Sequence, residues 1–164
     1  MRRRNGLVFI AALAAGCAGY GAGLVPGQSS VEEVRAAMGA PTLVRELPDG
    51  DRILWYSKLP YGRESYAARI DPDGTLVSLE QRLSPQFIAQ LRPNESSADD
   101  VLNTLGPPNR VYLYPRQQRE AWEYQLRTSP EMKTLYVQLS PDHVVREVFE
   151  LHDRDMYPGF FFFP

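Results

Sequence analysis

Few residues in this chain of 164 could carry chemistry. Its two histidines, His143 and His152, stand nine positions apart, which is not a spacing at which a metal site gathers ligands. Cys17 is the one cysteine, so no disulfide can form within the chain, and the body holds no thiol to pair with an imidazole. Asp71-Pro72-Asp73-Gly74, with Glu80 beyond, invites a calcium-loop reading. With Gly74 at the sixth loop position, however, the first ligand position falls on Arg69, a cation. A hairpin turn accounts for these residues better, and His143, which matches Gly74 later in the chain, reads as a surface turn residue. There is no Gly-x-Ser-x-Gly elbow, no glycine-rich phosphate loop and no isolated carboxylate pair. The expectation is a protein that is not an enzyme and that needs neither metal nor cofactor.

Cys17 has a context of its own. Arg2, Arg3 and Arg4 make a basic start, residues 7–15 form an uninterrupted apolar run, and Gly16 precedes the cysteine. That run is too short to span a bilayer as a helix but suits the core of an export signal. The order of charge, apolar run, small residues and cysteine resembles the lipobox of bacterial lipoproteins, although Ala14 stands where a large aliphatic residue is preferred. The resemblance implies removal of residues 1–16 and acylation of Cys17, which would attach the protein to a membrane. Two or three acyl chains, at ~0.8 kcal/mol per buried methylene, hold far more firmly than one. Ala18 rather than Asp follows the cysteine, which by the same resemblance implies the outer membrane, with the body facing the periplasm.

Composition agrees with a folded body: 43% of residues are hydrophobic and 23% charged. Without Arg2, Arg3 and Arg4, 15 of the 18 basic residues face 20 acidic ones, a charge of about −5. Such a body has no bulk electrostatic reason to seek nucleic acid. Residues 17–27, rich in glycine and small side chains, read as a lipidated flexible tether.

Two stretches then repeat one pattern. Ser30 and Ser97 are each followed three residues later by an acid, Glu33 or Asp100, which is the spacing of a capping box. Val31, Val34 and Met38, or Ala98, Val101 and Leu105, fall on one helical stripe. Gly39 and Gly106 offer a left-handed terminator, and Pro41 and Pro108 forbid continuation. Helices this short do not persist alone, so each needs a sheet to lean on. The first is followed by strand-like runs at 42–47, 52–58, 65–70 and 75–82, separated by turn residues. Ser84 and Pro85 open a connecting helix with Phe87, Ile88 and Leu91 as its apolar face. After the second helix, strands are expected near 110–114, 121–127, 133–139 and 144–151. Pro26, Gly39, Pro41 and Trp55 meet Pro93, Gly106, Pro108 and Trp122 at a constant offset of 67, which grows to 69 at Asp71 and Ser140. The expected fold is therefore α+β: two tandem modules, residues 28–83 and 84–151, each a short helix or helix pair on a three- or four-stranded antiparallel meander. Modules of this size are marginal alone, so a shared interface or one continuous sheet is expected.

The capped helix, the Gly39-x-Pro41 stop, the turn-separated strands with Trp and Tyr, and Asp73-Gly74 before the last strand resemble the SmpA/OmlA family, the BamE-like outer-membrane lipoproteins. The second copy, with Gly106, Pro108, Trp122-Glu123-Tyr124 and Asp142, is similar. The resemblance implies a non-catalytic, scaffold-like role in assembling β-barrel outer-membrane proteins, with an envelope protein as partner, the β-barrel assembly machinery being one candidate. A second reading is an inhibitor or regulatory binding module, since tandem α+β repeats are also similar to proteinaceous β-lactamase inhibitors; a concave aromatic surface spanning both sheets would favour it.

Two aromatic features stay open. Trp122, Tyr124 and Leu126 alternate onto one strand face, while Tyr112 and Tyr114 share another; they serve packing, or partner binding if a sheet face is left bare. Residues 152–164 form an aromatic tail in which Phe160, Phe161, Phe162 and Phe163 cannot all face a core, and are candidate contacts for a partner or a membrane.

Overall fold

The computed structural model describes residues 20–128 and 132–153. Cys17 and Phe160 to Phe163 lie outside the described residues.

Both capped helices form. In α1 (Val31–Met38) the Ser30 Oγ accepts from the Glu33 amide and the Glu33 carboxylate accepts from the Ser30 amide; α3 (Ala98–Leu105) repeats this with Ser97 and Asp100. The hydrogen bonds from Ser97 hold the Asp100 carboxyl below its usual range. Gly39 (φ 85, ψ −158) and Gly106 (φ 82, ψ −166) end the helices in the extended region that glycine alone enters readily, not in the left-handed helical well expected. The connecting helix α2 (Pro85–Ile88) is a single turn, without a side-chain bond from Ser84.

The strands β1 (Leu43–Glu46), β2 (Arg52–Ser57), β3 (Ser65–Ile70) and β4 (Leu76–Gln81) pair antiparallel in chain order. So do β5 (Arg110–Tyr114), β6 (Arg119–Leu126), β7 (Lys133–Leu139) and β8 (Val145–His152). The fold is α+β, with two tandem four-stranded modules. The sheets do not merge. Val31, Val34 and Met38 of α1 pack on one face of the first sheet, against Leu54, Tyr56, Ala68, Ile70 and Leu76. The opposite face, with Ile53, Trp55 and Ala67, meets α3 of the second module: Arg45 donates to Asn103 Oδ1 (2.7 Å) and to Asp99 Oδ1 (2.9 Å), and the fully buried Trp55 ring lies against Gly106. The other side of α3, with Val101 and Leu105, packs on Trp122, Tyr124, Leu135 and Val137 of the second sheet. The order of layers is therefore α1, first sheet, α3, second sheet, so α3 serves both modules.

Strand register confirms the duplication but corrects one of its anchors. Leu43 faces Trp55 as Arg110 faces Glu123, both modules carry a register shift late in their third strand, and the bridge Ser30–Thr75 recurs as Ser97–Val144. The counterpart of Trp55 is thus Glu123, while Trp122 corresponds to Leu54. The two tryptophans point to opposite faces of their sheets, and their equal spacing is a coincidence of an extra residue between β5 and β6. The stretch expected as a flexible tether is also corrected, as far as residues 20–27 show it. Tyr20 donates to the Met38 carbonyl (2.7 Å), its ring contacts Tyr56 and Tyr66, and Lys58 Nζ lies 3.5 Å from its centroid. Gly27 N–H bonds Leu76 O at 2.7 Å. These residues are docked on the first module.

Candidate functional site

Because alternate strand residues point to opposite faces, placing Trp122, Tyr124 and Leu126 in the core sends Ala121, Glu123 and Gln125 to the far side of the second sheet. Among the described residues no helix covers that side; its counterpart on the first sheet is the face that α3 occupies. Tyr112 of β5, Tyr136 of β7 and Phe149 of β8 form a row across it. The Tyr112 and Tyr136 rings are tilted with centroids 6.4 Å apart, and Tyr136 stacks on Phe149 at 5.5 Å. The open question about the aromatics thus divides: Trp122, Tyr124 and Leu126 are core, and Tyr112 belongs to the opposite, Glu123 face.

Glu123 sits within this row, only 4% exposed. Its Oε1 accepts from Asn109 Nδ2 (2.9 Å) and Gln125 Nε2 (2.5 Å), and its Oε2 accepts from the hydroxyls of Tyr112 (2.8 Å) and Tyr136 (3.4 Å). A carboxylate buried this deeply survives only with such donors, since hydrogen bonds to an ionised acceptor are about twice as strong as neutral ones. Both hydroxyls turn inward to reach it; the Tyr136 ring is buried and that of Tyr112 is part-exposed. Sequence reasoning missed Glu123 because it sought carboxylates in pairs; the available signal was an acid between two inward-facing aromatics.

The hydrogen bond to the Glu123 carboxylate, followed by burial, raises the Tyr112 pKa above the ordinary 10.0, because a phenolate would lose that bond. Burial, then the Glu123 charge, raises that of Tyr136 further. Burial alone holds Tyr124 well above 10.0. Above pH 10 the unfolded chain releases protons that the folded one retains, so these tyrosines contribute full stability below pH 10 and progressively less as pH rises past it. Denaturation midpoints should fall on the alkaline side of pH 10, with phenolate absorbance appearing together with unfolding, and less steeply once Tyr112 and Tyr136 are both phenylalanine.

Beside Glu123 lies a crevice of about 330 Å3 between the loop at Pro60, Tyr61 and Arg63 and the end of the second sheet at Asn109 and Thr134. Arg63 fixes the loop there by bonds to the Leu126 carbonyl (3.3 Å) and Asp153 Oδ2 (2.6 Å), and Thr134 donates to the same Asp153 (2.9 Å). The site residues read from the sequence as motif, Ser30, Gly39, Pro41, Ser97, Gly106 and Pro108, lie at the helix ends and away from this face. Ser30 and Ser97 also bridge to Thr75 and Val144, and Gly106 has a task between modules, lying between the Trp55 ring and the Tyr124 hydroxyl, which donates to its carbonyl at 3.0 Å.

No protein-family model matches the chain, and no curated protein matches it. Among solved structures, a DUF4309 family protein (YjgB) from Bacillus subtilis subsp. subtilis str. 168 is 21% identical with a TM-score of 0.31, over 79% of this chain and 82% of that one. A protein from Streptococcus mutans, provisionally described as a β-lactamase inhibitor, is 13% identical with a TM-score of 0.31, over 75% of this chain and 82% of its own. At that TM-score neither likeness bears on function.

Proposed function

We propose that this chain is a lipoprotein of the outer membrane, anchored through Cys17 and facing the periplasm, that works without catalysis as a binding or scaffold component in envelope assembly, with β-barrel outer-membrane proteins as the pathway served. The observation that carries the binding role is the aromatic row Tyr112, Tyr136 and Phe149 around Glu123, buried at Tyr136 and Glu123 and part-exposed along its rim at Tyr112 and Phe149, with Leu151 beside it 40% exposed. Rigid aromatic side chains on a preorganised surface are what protein interfaces use as anchors. Glu123, with its oxygens taken up by four neutral donors, has no lone pair directed at a substrate, which favours a structural task over that of a general base. The inhibitor reading has less support, because it calls for an aromatic surface spanning both sheets and α3 occupies the face of the first.

The test is co-purification of the lipoprotein after mild crosslinking in the envelope. Recovery of barrel-assembly components is the expected result. Their consistent absence, with other proteins captured in their place, would sink the assembly role.

A further inference from the structure

The outer strand β5 is a different surface from the face just described. It is an edge, with β6 on one side and no strand on the other among the described residues. Its side chains are exposed on both faces of the sheet: Val111 is 47%, Leu113 71% and Tyr114 41% exposed. An apolar edge strand is a template for pairing, and proteins that must stay single guard such edges with charge or cover. The duplicated strand β1 is guarded in that way. Its Glu46 stands where β5 has Leu113, and its Arg45, at the position of Tyr112, is tied to Asp99 and Asn103 of α3. In β5 both restraints are gone.

The sequence of β5, Arg110-Val111-Tyr112-Leu113-Tyr114, is complementary to itself when reversed. We propose that two copies of this chain associate through β5, antiparallel and centred on Tyr112. In that register Val111 faces Leu113 of the second copy, Arg110 faces its Tyr114, and Tyr112 faces Tyr112. Apolar side chains meet on the α3 side of the sheet, and a cation meets an aromatic ring on the other, with no like charges opposed. A slip by one residue would set the α3 side of one copy against the Glu123 face of the other, and a slip by two would shorten the overlap of a five-residue strand. The contact is isologous, so it closes at two copies and does not propagate. It joins the second sheets into one of eight strands and unites their two aromatic faces. The pairing stands apart from the proposed function, since it needs no other protein.

Directly opposed residues bring their Cβ atoms to about 4.5–5.5 Å, close to disulfide reach. The full chain carrying Cys17→Ser would be prepared with Val111→Cys or with Leu113→Cys and oxidised mildly. Mixing the two should give a linked dimer at least about tenfold faster than either alone, or than the control Tyr61→Cys at a position 95% exposed. Leu113→Lys in the same background should be monomeric by sedimentation where the parent shows a concentration-dependent dimer. Linking in the mixture no faster than at Tyr61→Cys, or faster in one variant alone, would overturn the pairing, as would a parent chain that sediments as a monomer at every concentration.

Discussion

Replacing Trp55 with alanine should lower the stability of the whole chain by about 3–5 kcal/mol, the cost of emptying a large aromatic site in a packed interior. Trp55 is fully buried, yet little of its cover comes from its own module's helix, which lies on the other face of the first sheet. Its ring contacts the end of α3, so the loss falls on the junction between modules, and both should unfold at a lower, shared denaturant midpoint. The same contact can be tested from its other side. A Cβ at Gly106 would sit 2.5–2.9 Å from Trp55 ring atoms, whereas one at Gly39, the matching cap, would meet nothing within 4 Å. Both glycines have positive φ, so alanine at either costs about 1–3 kcal/mol in backbone strain. Gly106→Ala should cost about 1–3 kcal/mol more through overpacking. Equal losses at the two positions in chemical denaturation would contradict the stacking of α3 on the first sheet.

Glu123→Ala is expected to cost about 3 kcal/mol, because it strips the acceptor from four donors at once and leaves polar groups unpaired on a largely buried face. Its signature would be loss of the near-ultraviolet signal of Tyr112 and Tyr136. Glu123→Gln should retain most of the stability. Its carbonyl can still accept from Asn109 and Gln125, and the two tyrosine hydroxyls can rotate to accept from its amide. A neutral outcome for alanine would mean that the carboxylate organises nothing.

What the sequence made legible was local. Ser30, Glu33, Gly39 and their echoes wrote the helix ends, because capping and positive-φ positions depend on residues a few places apart. Turn residues and alternation placed the strands to within two residues. Register was not legible: counting from Trp55 to Trp122 assumed equal loops, and one added residue turned the second tryptophan onto the other face. Nor was the cover of each sheet. Alternation shows that Trp55 and Leu54 face opposite ways, but only the folded chain shows that α3 lies over Trp55 and that no described helix lies over Glu123. Gly106 read as a helix stop, and its closeness to Trp55 belongs to a contact between modules that no local pattern encodes. Tyr20 was lost in a glycine-rich stretch because composition measures average flexibility and misses a single aromatic anchor.

The proposed partner sits on the rim of the Glu123 face, at Tyr112, Phe149 and Leu151. Phe149→Ala combined with Leu151→Asp alters that face at two side chains outside the Glu123 network, with Leu151 already 40% exposed. The decisive measurement is crosslinked co-purification of this variant beside the parent, with thermal melting as a control. Loss of barrel-assembly components at least about tenfold, with a melting temperature within a few degrees of the parent's, is the expected result. Undiminished capture by an equally stable variant would contradict the claim.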